Sequence, residues 1–268
     1  MKPLAIDLFC GLGGWTEGLL AAGYDVVGFD IEQHIYGEHR YPAQLVVQDV
    51  LTLHGSQFRG ASLIVASPPC QEFSYMAMPW GKAKAKAADY REGRRNVADL
   101  TRLFDACFRI QREASQAAGK RIPLVVENVR GAQPWVGRAV WKYGSYYLWG
   151  DVPALVPLPS KALRKGCTPG ASKRGFSGPD WGNPSQLSLH PITEAHYSNG
   201  IKQGGTWWHD PGSISRLTAS NSRARKFASA IIAKIPLPLS YAIAQAWFPV
   251  HPAEETHASC NYQAGGEQ

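Results

Sequence analysis

Five short, β-branched apolar runs set the limits on how this chain can fold. They are Leu4-Ala-Ile-Asp-Leu-Phe9, Asp25-Val-Val-Gly-Phe-Asp30, Leu45-Val-Val-Gln48, Leu63-Ile-Val-Ala66 and Leu124-Val-Val-Glu127. Each is too short for a buried helix. Between them, apolar residues recur at helical spacing from Trp15 to Ala22, stopped by Gly23, and again at Leu100, Leu103, Phe104, Cys107, Phe108 and Ile110. Strands alternating with helices predict right-handed β-α-β units, and so an α/β, Rossmann-like three-layer domain with a parallel sheet over residues 1–150. From Asp151 onward prolines and glycines break any regular period, which predicts a small loop-rich region over 151–219. Helical spacing returns near Ser222 with Phe227, Ile231 and Ile232, and a second helix is expected from Ser240 to Trp247. Residues 220–250 are therefore read as helices completing the first domain, and 251–268, poor in apolar residues, as a flexible tail.

Composition narrows the classes of protein that remain. With 268 residues, 44% of them hydrophobic and 18% charged, the chain is not a disordered one, and it has room for about one core and a smaller lobe. No apolar run is long enough to span a membrane, and the N-terminus lacks a signal peptide's apolar stretch. A soluble protein of the cytoplasm is expected. Five cysteines, odd in number and widely spaced, suit a reducing compartment better than a disulfide framework. A formal charge of +7 is compatible with a polyanionic partner such as nucleic acid, although solubility alone accounts for a modest excess.

Three places in the first domain carry chemistry. The turn Phe9-Cys-Gly-Leu-Gly-Gly14 follows the first strand, where glycine lets the main chain approach a ligand, and Asp30 ends the second strand, where a carboxylate can accept ribose hydroxyls. The full dinucleotide fingerprint is missing, so a nucleoside without pyrophosphate fits best; the alternative is a tight structural turn with a chance acid beyond it. Leu63-Ile-Val-Ala-Ser-Pro-Pro-Cys-Gln71 runs a buried strand into two prolines and a cysteine at the strand's carboxyl end, the end at which open α/β sheets bind ligands. Rigid prolines would present the Cys70 thiol at a fixed position, whereas Cys107, mid-helix, looks structural. Glu127-Asn-Val129 brings a carboxyl to the same edge, able to serve as a proton donor or, alternatively, as an ordinary cap or loop ion pair.

Taken together, Asp7-Leu-Phe-Cys-Gly-Leu-Gly-Gly14, Pro68-Pro-Cys-Gln-Glu-Phe-Ser74 and Glu127-Asn-Val129 resemble the DNA cytosine 5-methyltransferase family, in the compact form of its phage-encoded members. The resemblance is clear over about residues 4–130 and fainter over 220–248. It implies S-adenosylmethionine as cofactor, contacted by Phe9, Gly11, Leu12, Gly13 and Gly14. Asp30 would hold the ribose with Ile31 beside it, where the family commonly has an aromatic residue. Asp49 would bind the adenine amino group, and Val50 and Pro69 complete the implied contacts. Cys70 would add to carbon 6 of a flipped cytosine, with Glu127 at N3 and Asn128 and Arg138 completing the catalytic set. The partner implied is double-stranded DNA, inside a bacterial or phage-infected cell. No metal is required, and His190, His196 and His209 have no zinc spacing with Cys167. The basic segments Trp80-Gly-Lys-Ala-Lys-Ala-Lys86 and Arg91-Glu-Gly-Arg-Arg95 fall where the family has a mobile catalytic loop, with a solvated helix start as the alternative. Lys161 to Arg174 and Gly200 to Trp208 are expected to form the target-recognition region. So short a recognition region implies a short target sequence and a monomer.

Two departures stand out. The family's Gln-x-Arg-x-Arg segment is replaced by Trp135-Val-Gly-Arg-Ala-Val-Trp-Lys-Tyr143, leaving Arg138 as the substitute, and its C-terminal Gly-Asn-x-Val by Ile232-Ala-Lys-Ile-Pro-Leu-Pro238. Methylation of RNA cytosine by the same scaffold, and non-catalytic DNA binding by a retained fold, are the competing functions. The intact Cys70 and Glu127 rank DNA methylation above both.

Overall fold

The computed structural model describes residues 2–74, 80–154 and 223–249. The expected target-recognition region and tail, with Cys167, Cys260 and the three histidines, therefore lie outside the described residues.

Seven strands form one sheet: β1 (Leu4–Leu8), β2 (Asp25–Asp30), β3 (Gln44–Val47), β4 (Ala61–Ala66), β5 (Leu124–Asn128), β6 (Trp141–Tyr143) and β7 (Tyr146–Gly150). Their order is β3-β2-β1-β4-β5-β7-β6. The first five strands pair in parallel, as the sequence pattern predicts. The last two correct a purely parallel reading, since β7 pairs antiparallel with β5 and β6 antiparallel with β7. Reversal of order at β1, with β2 on one side and β4 on the other, creates a crevice at the carboxyl ends of those strands. This is a Rossmann-like fold of the S-adenosylmethionine-dependent methyltransferase type.

Strand residues alternate between two cores. Ile6, Leu8, Ile64, Ala66, Leu124 and Val126 face one, closed by α3 (Val97–Ala118) through Phe104, Cys107, Ile110 and Ala114. Ala5, Leu63, Val65 and Val125 face the other, closed by Trp15 and Leu19 of α1 (Gly14–Ala21) and by Leu239 and Ile243 of a C-terminal helix, Leu237–Ala246. Because both faces are covered, the central strands read as near-continuous apolar runs. Cys107 is fully buried and its thiol donates to the Leu103 carbonyl at 3.4 Å, the structural role expected of it.

Three further helices are α2 (Trp80–Arg91), the single turn α4 (Gln133–Val136) and α5 (Arg223–Ala233); the C-terminal helix is α6. Helix α2 revises the expectation of a basic loop after the nucleophile. Residues 75–79 lie outside the description, but Ala83, Ala85, Ala87 and Ala88 with three lysines give the following stretch strong helix propensity. Its cations are also partly engaged: Lys86 pairs with Glu72, and Arg94 beyond the helix with Asp89 and Glu92. Helix α6 starts three residues earlier than expected, because Pro238 sits in its first turn, where a missing N–H costs nothing. No helix among the described residues is long and apolar enough to cross a membrane.

Candidate active site at the carboxyl edge of the sheet

The loop leaving β1 is held in an unusual backbone conformation. Phe9 has φ of +58°, rare for a residue with a side chain, and Gly11 and Gly13 follow at +51° and +79°. The glycines are present for different reasons. A Cβ on Gly13 would lie 2.5 Å from Cδ of Pro42, and one on Gly14 2.3 Å from the backbone N of Ile235, so these two are fixed by protein packing. A Cβ on Gly11 would meet nothing within 4 Å. Gly11 thus borders open space, where a ligand can lie against bare main chain. Leu12 is buried, which leaves only its backbone for such a contact.

Asp30, at the end of β2, closes this loop from the side. Its Oδ2 accepts from the Gly11 N–H at 2.9 Å and its Oδ1 from the Ile31 N–H at 2.8 Å. Burial alone would raise the Asp30 carboxyl, but hydrogen bonding to His34 and to the Gly11 and Glu32 amides outweighs it and holds the group below the usual range. Ile31 beside it is 70% exposed, an apolar surface next to the acid. Asp49 follows β3, its Oδ1 accepting from the Leu51 N–H at 2.9 Å, and Val50 beneath it is buried. An anionic acceptor, an exposed apolar side chain, a second carboxylate and an uncovered glycine are the features a nucleoside-bearing donor such as S-adenosylmethionine would use. Ile235, within the stretch 232–238 expected to stand in place of the family's Gly-Asn-x-Val, lies directly on Gly14.

Beneath the cradle lies a buried polar cluster that sequence reasoning did not single out. Thr16 Oγ1 donates to Asp7 Oδ2 at 2.7 Å and also contacts the Tyr41 hydroxyl at 2.6 Å, while Asp7 Oδ1 has no hydrogen-bond partner. Burial raises the Asp7 carboxyl to about 7; the Thr16 hydrogen bond opposes this and the charge of Asp30 adds to it. The folded chain therefore keeps a proton that the unfolded chain, with an aspartate at 3.8, has already released. Stability from this group falls as pH rises between those two values and stays low above them. Asp7→Asn, which mimics the protonated acid, is expected to be more stable than the unsubstituted protein by about 4 kcal/mol at pH 8, with the difference vanishing toward pH 4. Denaturant midpoints across that range test this, and a constant difference at every pH would contradict it.

The Cys70 side is built from the neighbouring strands. After β4 the chain runs Ser67-Pro68-Pro69-Cys70, and three contacts fix its course. The Ser67 N–H donates to the Leu8 carbonyl at 3.1 Å, Trp15 Nε1 donates to Ser67 Oγ at 2.9 Å, and Asn128 Nδ2 donates to the Pro68 carbonyl at 2.9 Å. Beyond the prolines, the Cys70 carbonyl accepts from the Phe73 and Ser74 amides at 3.0 and 2.9 Å, and Phe73 is buried in the core. Cys70 is half-buried at the edge and Pro69 is exposed. The β4–β5 register sets Ala66 beside Val126, so Glu127 and Cys70 both project past the same carboxyl edge. Glu127 and Asn128 are buried, backed by Leu148 and Tyr147 of β7.

Arg138 is exposed in the connection between α4 and β6. His34, Ser67 and Trp15 are contributors that the sequence did not announce, since their roles depend on which strands and loops become neighbours. Among the described residues no group of three or more His, Cys, Asp or Glu side chains converges as a metal site.

Residues 4–132, from the first strand through the turn after Glu127, match the model of the C-5 cytosine-specific DNA methylase family. Among solved structures, the chain is similar to a candidate DNA modification methyltransferase encoded within a prophage of E. coli, at 25% identity and a TM-score of 0.33. That match covers 49% of this chain and 33% of the other, so the chain spans about a third of that structure's length. Entamoeba histolytica methyltransferase EhMeth and S. pombe Dnmt2 methyltransferase each share 11% identity, with 92% of this chain and 98% of theirs covered and TM-scores of 0.43 and 0.42. Superpositions this loose carry no weight of their own. No curated protein matches. Over residues 4–132, just under half of its length, the chain is thus similar to the C-5 cytosine-specific DNA methylase family.

Proposed function

We propose that this protein methylates carbon 5 of cytosine in DNA. The observation that carries the reading is the clamp of Asn128 on the Pro68 carbonyl, which locks the Pro-Pro-Cys loop to the strand bearing Glu127 beside a cradle suited to a nucleoside. S-adenosylmethionine, held by the Gly11 turn, Asp30, Ile31 and Asp49, supplies a methyl group activated on a sulfonium sulfur. The Cys70 thiolate forms a bond from Sγ to carbon 6 of the cytosine, while the Glu127 carboxyl donates to N3 and draws off the charge that would otherwise build on the ring. Carbon 5, made nucleophilic, would then take the methyl group as the methyl–sulfur bond breaks, its electron pair going to sulfur and neutral S-adenosylhomocysteine leaving. Loss of the carbon 5 proton and departure of the thiolate restore the aromatic ring and the free enzyme.

A base within a duplex cannot reach Cys70, so the target must be extruded, at a cost of a few kcal/mol. Asn128 is a positioning residue in this scheme, acting through the loop it holds. Arg138 is assigned a contact to the flipped nucleotide by position in sequence alone.

The test is transfer of a labelled methyl group from S-adenosylmethionine to duplex DNA and, in parallel, to tRNA. Label is expected in the DNA as 5-methylcytosine. Label confined to RNA would move the substrate while keeping the chemistry, and absence of label from both across varied sequences would leave a DNA-binding protein that retains the fold. Bisulfite sequencing of DNA from expressing cells would supply the site preference.

A further inference from the structure

We propose that His34 occupies the ribose-accepting side of Asp30 and is displaced when the nucleoside binds, so that cofactor binding releases a proton. The inference rests on the methyltransferase reading and deepens it.

An aspartate carboxylate offers about four lone-pair directions. In Asp30 the inner ones are used by the main chain, Oδ2 by the Gly11 N–H at 2.9 Å and Oδ1 by the Ile31 N–H at 2.8 Å. The Glu32 N–H lies at 3.4 Å from Oδ1, and His34 Nε2 stands 3.6 Å from the same oxygen. Oδ2 keeps one open direction beside the Gly11 N–H, so a vicinal ribose diol, which sets one hydroxyl on each carboxylate oxygen, takes that direction with one hydroxyl and needs Oδ1 for the other. His34 and that hydroxyl cannot both hold it.

His34 is well placed to hold it when no ribose is present. Its side chain is only 18% exposed, its ring stacks on Tyr36 with centroids 6.2 Å apart, and Nδ1 lies 3.5 Å from the Tyr36 hydroxyl. The loop that carries it is braced from α5: Arg223 donates to the Ile35 carbonyl at 3.2 Å, and the Phe227 ring packs 5.2 Å from Tyr36 and 5.0 Å from His39. The groups facing the imidazole are Asp30, Glu32 at 3.6 Å from Nδ1, Tyr36 and, from α5, Lys226. Asp7 and Cys10 lie behind Asp30 on the β1 side. The hydrogen bond to Asp30 raises the His34 imidazole above its ordinary value of 6.5; burial and Lys226 oppose the rise, and the charges of Asp30 and Glu32 add to it. With the ribose on Asp30 that support is lost. The nucleoside-free protein then binds the proton more tightly than the loaded one, so affinity rises with pH from the ordinary histidine value up through the raised one.

The experiment is calorimetric titration of the full chain with S-adenosylhomocysteine between about pH 6 and pH 8, in two buffers of different ionisation heat. Net proton release is expected near neutral pH, with affinity on the order of three- to tenfold weaker at the acid end. His34→Gln is expected to abolish the proton release and flatten the profile, with binding at low pH as tight as that of the unsubstituted protein or tighter. A profile that keeps its slope in the variant, or drops by one factor at every pH, overturns the proposal and leaves His34 as a brace. Should the variant not fold, the His34 ring resonance in the unsubstituted protein serves instead: its pKa must fall on saturation with S-adenosylhomocysteine, and an unchanged value overturns the proposal. Absence of binding at every pH overturns the methyltransferase reading, and this inference with it.

Discussion

Cys70→Ala is expected to lower methyl transfer to duplex DNA by at least about 10⁴-fold while leaving S-adenosylhomocysteine binding intact, because the substitution removes the proposed nucleophile while the loop keeps its main-chain contacts. The loop's geometry depends on main-chain groups and on other side chains: the Cys70 carbonyl still accepts from Phe73 and Ser74, Asn128 still holds the Pro68 carbonyl, and Trp15 still holds Ser67. Cys70 also lies at the edge rather than in either core, so the loss of its sulfur opens no deep cavity. Single-turnover transfer of labelled methyl, measured beside cofactor titration and thermal melting of the same preparation, separates the outcomes. Transfer by the alanine variant within tenfold of the original would remove Cys70 from the mechanism. A lowered melting temperature with lost cofactor binding would make its role architectural.

Gly18→Ala is expected to produce a large loss of stability from one added methyl group. An ideal Cβ at Gly18 would sit 2.3 Å from Ser240 Oγ, 2.4 Å from the Tyr241 N and 2.5 Å from the Ser240 carbonyl carbon, in the contact between α1 and α6. Two of those atoms are backbone, so no rotamer change relieves the clash and the helices must part. Alanine's better helix propensity, worth about 1 kcal/mol, is outweighed by overpacking, for a net loss of roughly 2–3 kcal/mol. For a domain of this size that corresponds to a fall in melting temperature of roughly 5–10 °C. Gly60→Ala is the matched control, since a Cβ there meets nothing within 4 Å and should change little. Equal melting temperatures for the two variants would mean that α1 and α6 approach less closely than described.

The strands that organise the site were legible because burial on both faces forces their composition. β1, β2, β4 and β5 are five or six residues long, with Val, Ile, Leu and Ala making up most of all but β2, and their ends fall within two residues of where the apolar runs stop. Legibility of Cys70 and Glu127 as edge residues follows from this, since a residue just past a parallel strand can only project at its carboxyl end. The β6–β7 hairpin was harder to read. Its strands are three and five residues of mainly aromatic side chains, and the Gly144-Ser145 turn, with Gly144 at φ +57°, is the one local signal it carries. The helix at Trp80–Arg91 was legible from alanine and lysine content, a propensity that points away from the loop implied by family resemblance. His34 had no signal at all. Its contact with Asp30 depends on the path of the β2–β3 connection and on a helix nearly two hundred positions later, and neither leaves a period in the sequence.

The docking of α6 on α1 also has a consequence in time. Tyr24, just past α1, donates its hydroxyl to the Ala244 carbonyl across a separation of 220 residues, and Ile235 seats against Gly14 at the turn proposed to cradle the nucleoside. At ribosomal rates of about 5–20 residues per second, α1 emerges tens of seconds before its partner is synthesised. Throughout that interval Trp15 and Leu19 have no α6 to cover them, and the turn lacks its backing. The nascent chain therefore presents an apolar strip of the kind chaperones bind, and the Gly11–Gly14 turn gains its backing only once α6 has been made.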